Sequence, residues 1–252
     1  MTNLPEMKAF FVDTGAHEGK FNMDYDLRLV ANVPPEAMIL RFYTWKPYCV
    51  SLGANQPDSE VLTDKLTADG FTMVRRPTGG RAVFHSEELT YSVVLRSALM
   101  TPRRIYSDVN EALLIGLRHY DQRLAVAELS EKEVKFREHY RVAGSAACFS
   151  VPAKAEVKFE EKKLIGSAQR RLGDVTLQHG SINTGAYHKR IVEYLNLSEE
   201  EKEEIKNILE AGTSDISEIT GEKVDFKKLK EYILFGFSQK FGLNFVNLEN
   251  MI

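Results

Sequence analysis

The stretch RRPTGGRAVFH, residues 75–85, puts three arginines, two adjacent glycines and a histidine directly ahead of a strand-like run. Gly79-Gly80 allows backbone N–H groups to face a ligand, because no Cβ blocks the approach. Arg75, Arg76 and Arg81 carry fixed positive charge suited to a carboxylate or phosphate. The plain alternative is a hairpin turn with surface arginines, since Gly-Gly turns are common. The stretch is neither a Walker loop nor a GxGxxG fingerprint. Three further places hold residues able to do chemistry. Cys148 lies among small residues in SAACFSVPAKAEV, where a buried inert thiol is the default. Lys163 precedes Gly166-Ser167-Ala168 in KKLIGSAQRR, at what reads as a solvated hairpin. His179 and Gly180 end a strand in LQHGSI. His85 and His179 do not make a metal site without further ligands at suitable spacing, so no metal is expected.

These residues need a scaffold, and the pattern around them supplies one. Met23, Leu27 and Val30 at helical spacing predict a helix over 22–33, ended by Pro34-Pro35. MILRFYTW (38–45) and CVSLG (49–53) read as strands joined by a turn at Lys46-Pro47. FTMVRR (71–76), RAVFH and LTYSVVLR (89–96) add strands on either side of the glycine turn. Residues 107–119 read as a helix with Ser107 as N-cap. A hairpin turning at Glu160-Glu161 and a strand over 175–184 follow. Beyond residue 190 the chain turns helical and charged. Ser198 and Glu201 form a capping-box pattern, and Leu229, Ile233, Phe237 and Phe241 make an i, i+4 stripe. The expected fold class is α+β, a mixed central sheet flanked by helices with a short helical C-terminal tail. A catalytic domain over 20–190 and a helical extension over 191–252 packed on it are the expected units.

Composition narrows the function. The 252 residues carry a net charge of −3, so nothing global points to nucleic acid. No apolar run approaches the roughly 18–20 residues of a membrane span. The N-terminus lacks the basic start and apolar core of a signal peptide, which favours a cytoplasmic protein. A Cys49–Cys148 disulfide is disfavoured in that compartment, and Cys49 reads as a packing residue.

RRPTGGRAV, ELTYSV, ACF, KLIGSAQRR and LQHGSI, in that order, resemble the lipoate-protein ligase A and biotin ligase superfamily. Within it the chain is most similar to octanoyl-[acyl carrier protein]:protein N-octanoyltransferases of the LipM type, over about residues 20–245. The resemblance implies that Cys148 accepts an octanoyl group as a thioester and that Lys163 sits against that thiol. A nearby ammonium favours the reactive thiolate. It also implies that Arg76, Gly79, Gly80, Arg81 and His85 line one wall of an acyl pocket. Gly166, Ser167, His179 and Gly180 match the opposite wall. The implied donor is octanoyl-acyl carrier protein. The implied acceptors are lipoyl domains such as the glycine cleavage H protein; no cofactor is implied, and a monomer is expected.

Two departures bear on the neighbouring chemistry. ATP-dependent lipoate ligases usually show a third glycine and then AVFHD, whereas this chain has Arg81 and Ser86 at those places. Both count against an adenylate. The alternatives are an ATP-dependent lipoate or octanoate ligase, an amidotransferase moving octanoyl between lipoyl domains, and a non-catalytic binding module. If Lys163 is exposed, truncating it should change stability by less than about 0.5 kcal/mol.

Overall fold

A computed structural model describes residues 7–130 and 155–248. Twelve strands are named in chain order. β1 is Lys8–His17, β2 Ala37–Trp45, β3 Cys49–Leu52, β4 Thr72–Arg75, β5 Val83–His85 and β6 Glu88–Arg96. β7 is Glu128–Leu129, β8 Val157–Phe159, β9 Lys162–Lys163, β10 Ile165–Leu172, β11 Val175–Asn183 and β12 Phe245–Asn247. The α-helices among the described residues are α1 Gly19–Asn32, α2 Thr63–Ala68, α3 Pro102–Tyr120, α4 Glu199–Gly212, α5 Ile216–Thr220 and α6 Phe226–Phe241.

The central sheet has six strands in the order β10-β11-β6-β2-β1-β12. It is mixed: β1 runs parallel to both β2 and β12, while the pairs β2–β6, β6–β11 and β11–β10 are antiparallel. β2 and β6 lie inside the sheet and are covered on both faces, which is why they read as nearly unbroken apolar runs. Met38, Leu40 and Phe42 point to one face, with Leu89, Tyr91 and Val93, and pack against α3 and α6 through Leu113, Leu117, Ile233 and Phe237. Ala37, Ile39 and Val94 point to the other, against Leu29 of α1 and the following Val33. Two three-stranded sheets, β4-β3-β5 and the shorter-stranded β7-β8-β9, complete the strands among the described residues. The fold class is the expected mixed α+β arrangement.

Several local expectations change. MILRFYTW and CVSLG are both strands, but β2 belongs to the central sheet and β3 to the β4-β3-β5 sheet. Helix α3 begins at Pro102, not at 107. The Thr101 side chain accepts from the Arg104 N–H and proline occupies the first turn, where its missing N–H costs nothing. The helix over 22–33 starts earlier, at Gly19. Ser198 and Glu201 form the full reciprocal capping box of α4. Glu160 and Glu161, at the turn between β8 and β9, both have positive φ, 46° and 67°. After the C-terminal helices the chain adds β12, which pairs with β1 at the sheet edge.

Candidate active site

The glycine turn connects β4 to β5 and lies against the end of β3. Gly80 adopts φ 101°, a conformation suited to glycine. A Cβ on Gly53 would sit 1.9 Å from the Gly80 carbonyl oxygen, so the two segments are in direct backbone contact. Arg76 holds this turn. Its guanidinium donates to the carbonyls of Ser51 (3.0 Å), Gly79 (2.9 Å) and Arg81 (2.7 Å) and to the Ser51 hydroxyl (3.1 Å). Arg75 donates to the Gly53 carbonyl (2.8 Å) and pairs with Asp58, while Arg81 meets Glu60 at 3.3 Å. The cations around the glycines therefore shape the loop itself.

Beside the turn, between the central sheet, α1 and the β4-β3-β5 sheet, runs a narrow cavity. About 30 Å³ of it is open to the centres of water-sized molecules. Arg76, His85, Gly166, Ser167, His179 and Gly180 line it, joined by Trp45, Ser51, Thr90 and Ser181. Gly79, Gly80 and Arg81 belong to the turn behind Arg76 and are not among the lining residues. Gly180 is needed for packing as well. A Cβ there would lie 2.3 Å from the Gly166 carbonyl oxygen and 2.8 Å from the Tyr91 ring.

Polar side chains dominate the frame, but they are turned on one another. His179 Nδ1 lies 3.3 Å from Asp26 Oδ2, and its Nε2 lies 2.6 Å from the Thr78 hydroxyl. Asp26 also takes bonds from Arg41 (2.7 Å) and Ser92 (2.8 Å), and Arg41 is wholly buried. Burial would raise the Asp26 carboxyl, but the His179 hydrogen bond and the Arg41 charge outweigh it and hold it below its ordinary value. Burial pushes His179 down, against the pull of Asp26, so its neutral ring donates to the carboxylate and accepts from Thr78. A second chain runs from Ser51 to His85 (2.7 Å) and on to Glu88 (2.9 Å). Trp45 stacks on His85 at 4.0 Å and donates its indole N–H to Thr90 at 2.7 Å. Most of these polar atoms satisfy one another, Glu88 Oε2 being the exception, so the groove they enclose is suited to a hydrocarbon chain.

Lys163 stands beyond the edge strand β10. It is not the solvated lysine of a hairpin: it is 2% exposed and forms an ion pair with Glu156 at 2.9 Å. Truncating it therefore leaves a buried carboxylate, and the expected cost is about 3–5 kcal/mol, not the small change of an exposed site. Cys148 lies outside the described residues. Cys49 is buried in close contact with Gly19, where a Cβ would fall 2.6 Å from its sulfur. Burial pushes its thiol up to about 12, so it is a packing residue.

The lipoyl protein ligase A/B catalytic domain model matches residues 18–238. The chain belongs to that family. It is 34% identical to the octanoyltransferase LipM of Kyrpidia tusciae, across 91% of this chain and 85% of that one. It is 31% identical to the LipM of Staphylococcus aureus, across 95% and 89%. Among solved structures, the bipartite lipoate protein ligase of Thermoplasma acidophilum shares the fold at a TM-score of 0.76 and 20% identity, covering 96% of this chain and 87% of that one. Lipoate-protein ligase A bound with ATP does so at 0.75 and 21%, covering 96% and 88%. The family match takes in α1, the β4-β3-β5 sheet, four of the six strands of the central sheet and most of α6, so it covers every described residue of the cavity.

Several residues of this family member's cavity gave no motif. Asp26 and Ser51 sit in ordinary helix and strand contexts, while Thr90 lies within ELTYSV. Arg41 did leave a signal, as a lone cation inside the apolar run MILRFYTW. Glu88, Thr90 and Ser92 alternate along a strand buried on both faces, which marks a polar seam. Glu156 passed as one acid among the charges of a hairpin.

Proposed function

We propose that this enzyme transfers an octanoyl group from octanoyl-acyl carrier protein to a lysine of a lipoyl domain, such as the glycine cleavage H protein, through a thioester on Cys148. The observation that carries the reading is the 31–34% identity to LipM octanoyltransferases over more than nine-tenths of the chain. The catalytic unit is residues 20–190, with 191–252 packed on it as an extension. The Cys148 thiolate attacks the carrier's thioester carbonyl; a C–S bond forms and the carrier thiolate leaves. This exchange is close to isoenergetic and needs no ATP. The acceptor ε-amine then attacks the Cys148 thioester, the C–N bond forms, the thiolate leaves and the amine loses a proton. Lys163 supplies the cation that favours the thiolate in both steps. The groove framed by Arg76, His85, Gly166 and His179 takes the acyl chain.

The decisive experiment mixes the enzyme with octanoyl-carrier protein alone, without ATP or acceptor. One octanoyl group should load on Cys148, be released by hydroxylamine, and disappear when a lipoyl domain is added. Cys148→Ser should lose nearly all turnover, because a serine hydroxyl is scarcely ionised near neutral pH, while Cys49→Ser should keep most of it. Full activity in Cys148→Ser with strict ATP dependence would replace this reading by the ligase.

A further inference from the structure

Glu156 makes contacts that a surface acid would not. It is 2% exposed, and its two carboxylate oxygens serve different elements. Oε2 meets the Lys163 ammonium at 2.9 Å. Oε1 accepts from the backbone N–H of Ser167 at 3.3 Å and lies 3.5 Å from the Tyr106 hydroxyl on α3. The Ser167 N–H projects from the outer edge of β10, next to Gly166, in the wall of the acyl groove. One carboxylate thus ties the lysine to the groove wall and to the helix behind it. Among the described residues, other charges near Lys163 are engaged elsewhere. Lys158, its register partner on β8, pairs with Glu128 and Glu161; Lys162 pairs with Glu218 of α5. Towards α4, the backbone bridges Lys163 to Thr213, where His188 is hydrogen-bonded to the Thr213 hydroxyl. Asp215, two residues on, caps α5.

We infer that Glu156 is a positioning residue for acyl transfer: its carboxylate fixes the Lys163 ammonium against the groove wall, where the proposed reaction needs it. This rests on the reading in which Lys163 assists Cys148. Among the described residues, Glu156 meets Lys163, Ser167 and Tyr106. Without this carboxylate the Lys163 ammonium loses a tether and is held less firmly at the groove wall. The thiol should then be harder to ionise.

Alkylation of Cys148 by iodoacetamide, followed against pH by peptide mass spectrometry, reads this directly. The full-length chain is compared with Glu156→Gln, Lys163→Met and the double variant. Lys163→Met should raise the midpoint, and Glu156→Gln should raise it too, by about one pH unit, or about tenfold less thiolate at a given pH. In the double variant the second change should add nothing, because both act through one cation. Glu156→Asp keeps the charge and shortens the reach. It should move the midpoint part of the way, and it carries the test if Glu156→Gln does not fold. A midpoint unmoved in Glu156→Gln and Glu156→Asp, or moved equally with Lys163 already replaced, overturns the inference. A midpoint unmoved in Lys163→Met overturns the proposed role of Lys163 instead.

Discussion

At the scale of single residues, the site uses its charged groups as framework. Arg76 spends its guanidinium on the carbonyls of the glycine turn, and Asp26 and Glu88 spend their carboxylates on two histidines, so the groove between them presents carbon. Trp45 closes this groove. Tyr43 and Trp45 line both the narrow cavity and a wider cleft of about 820 Å³ at the ends of β1, β2 and β6. The indole is held by the His85 stack and by its bond to Thr90, which makes it a fixed partition. Replacing it with alanine removes that partition. Trp45→Ala should therefore accept acyl chains longer than eight carbons, with octanoyl transfer reduced; competition between octanoyl- and dodecanoyl-carrier protein measures it. An unchanged preference would place the end of the chain elsewhere. The replacement also leaves a cavity, for an expected destabilisation of about 3–5 kcal/mol.

At the scale of elements, the site depends on a helix pair of which only α3 reaches it, through Asn110 and Tyr106 against Ser167. α3 and α6 cross where Gly116 meets Ile233 and Gly236 meets Ala112. A Cβ on Gly236 would lie 2.2 Å from the Ala112 carbonyl oxygen and 2.6 Å from the Gly116 nitrogen. Those neighbours are backbone and cannot swing away. Gly236→Ala should therefore force the helices apart and cost at least the roughly 1–3 kcal/mol of an overpacked core, despite alanine's better helix propensity. Urea denaturation of the variant checks it; equal or greater stability would mean that the crossing is looser than this. The Leu229, Ile233, Phe237 and Phe241 stripe was legible because periodicity reports burial. The glycine crossing was not, since it takes two helices more than a hundred residues apart. A local reason hid the first turn of α3: Thr101-Pro102 is a sound helix start, but Ser107 offered a competing cap. β3 was legible as a strand, yet its sheet was not, because pairing is decided by partners distant in sequence.

Across the whole molecule, the motifs that carried the resemblance carry only part of the buried polar frame, and that frame gives the fold its pH dependence. RRPTGGRAV, KLIGSAQRR and LQHGSI mark where the groove runs, while the partners that hold it, Asp26 on α1 and Arg41 on β2, come from the first part of the chain and leave little local trace. His179 sits among these partners, and His188 lies between Gly185 and Thr213 near α4. Burial pushes both imidazoles below the ordinary 6.5. A histidine with a depressed folded value binds its proton more readily in the unfolded chain. Between the folded values and 6.5 the unfolded state therefore takes up more protons, and stability must fall as pH falls through that window. Asp26 acts in the same direction further down. Its folded value is depressed, so its contribution is present above the unfolded 3.8 and is lost as pH falls through the lower folded value. Urea denaturation at pH 7.5, 6.5 and 5.5 should give a midpoint that declines with pH. The decline should be shallower in His188→Gln, which keeps a side-chain amide able to meet Gly185 or Thr213 and lies outside the acyl groove. Equal slopes in the two proteins would show that His188 takes up its proton as easily folded as unfolded, leaving His179 to account for the decline.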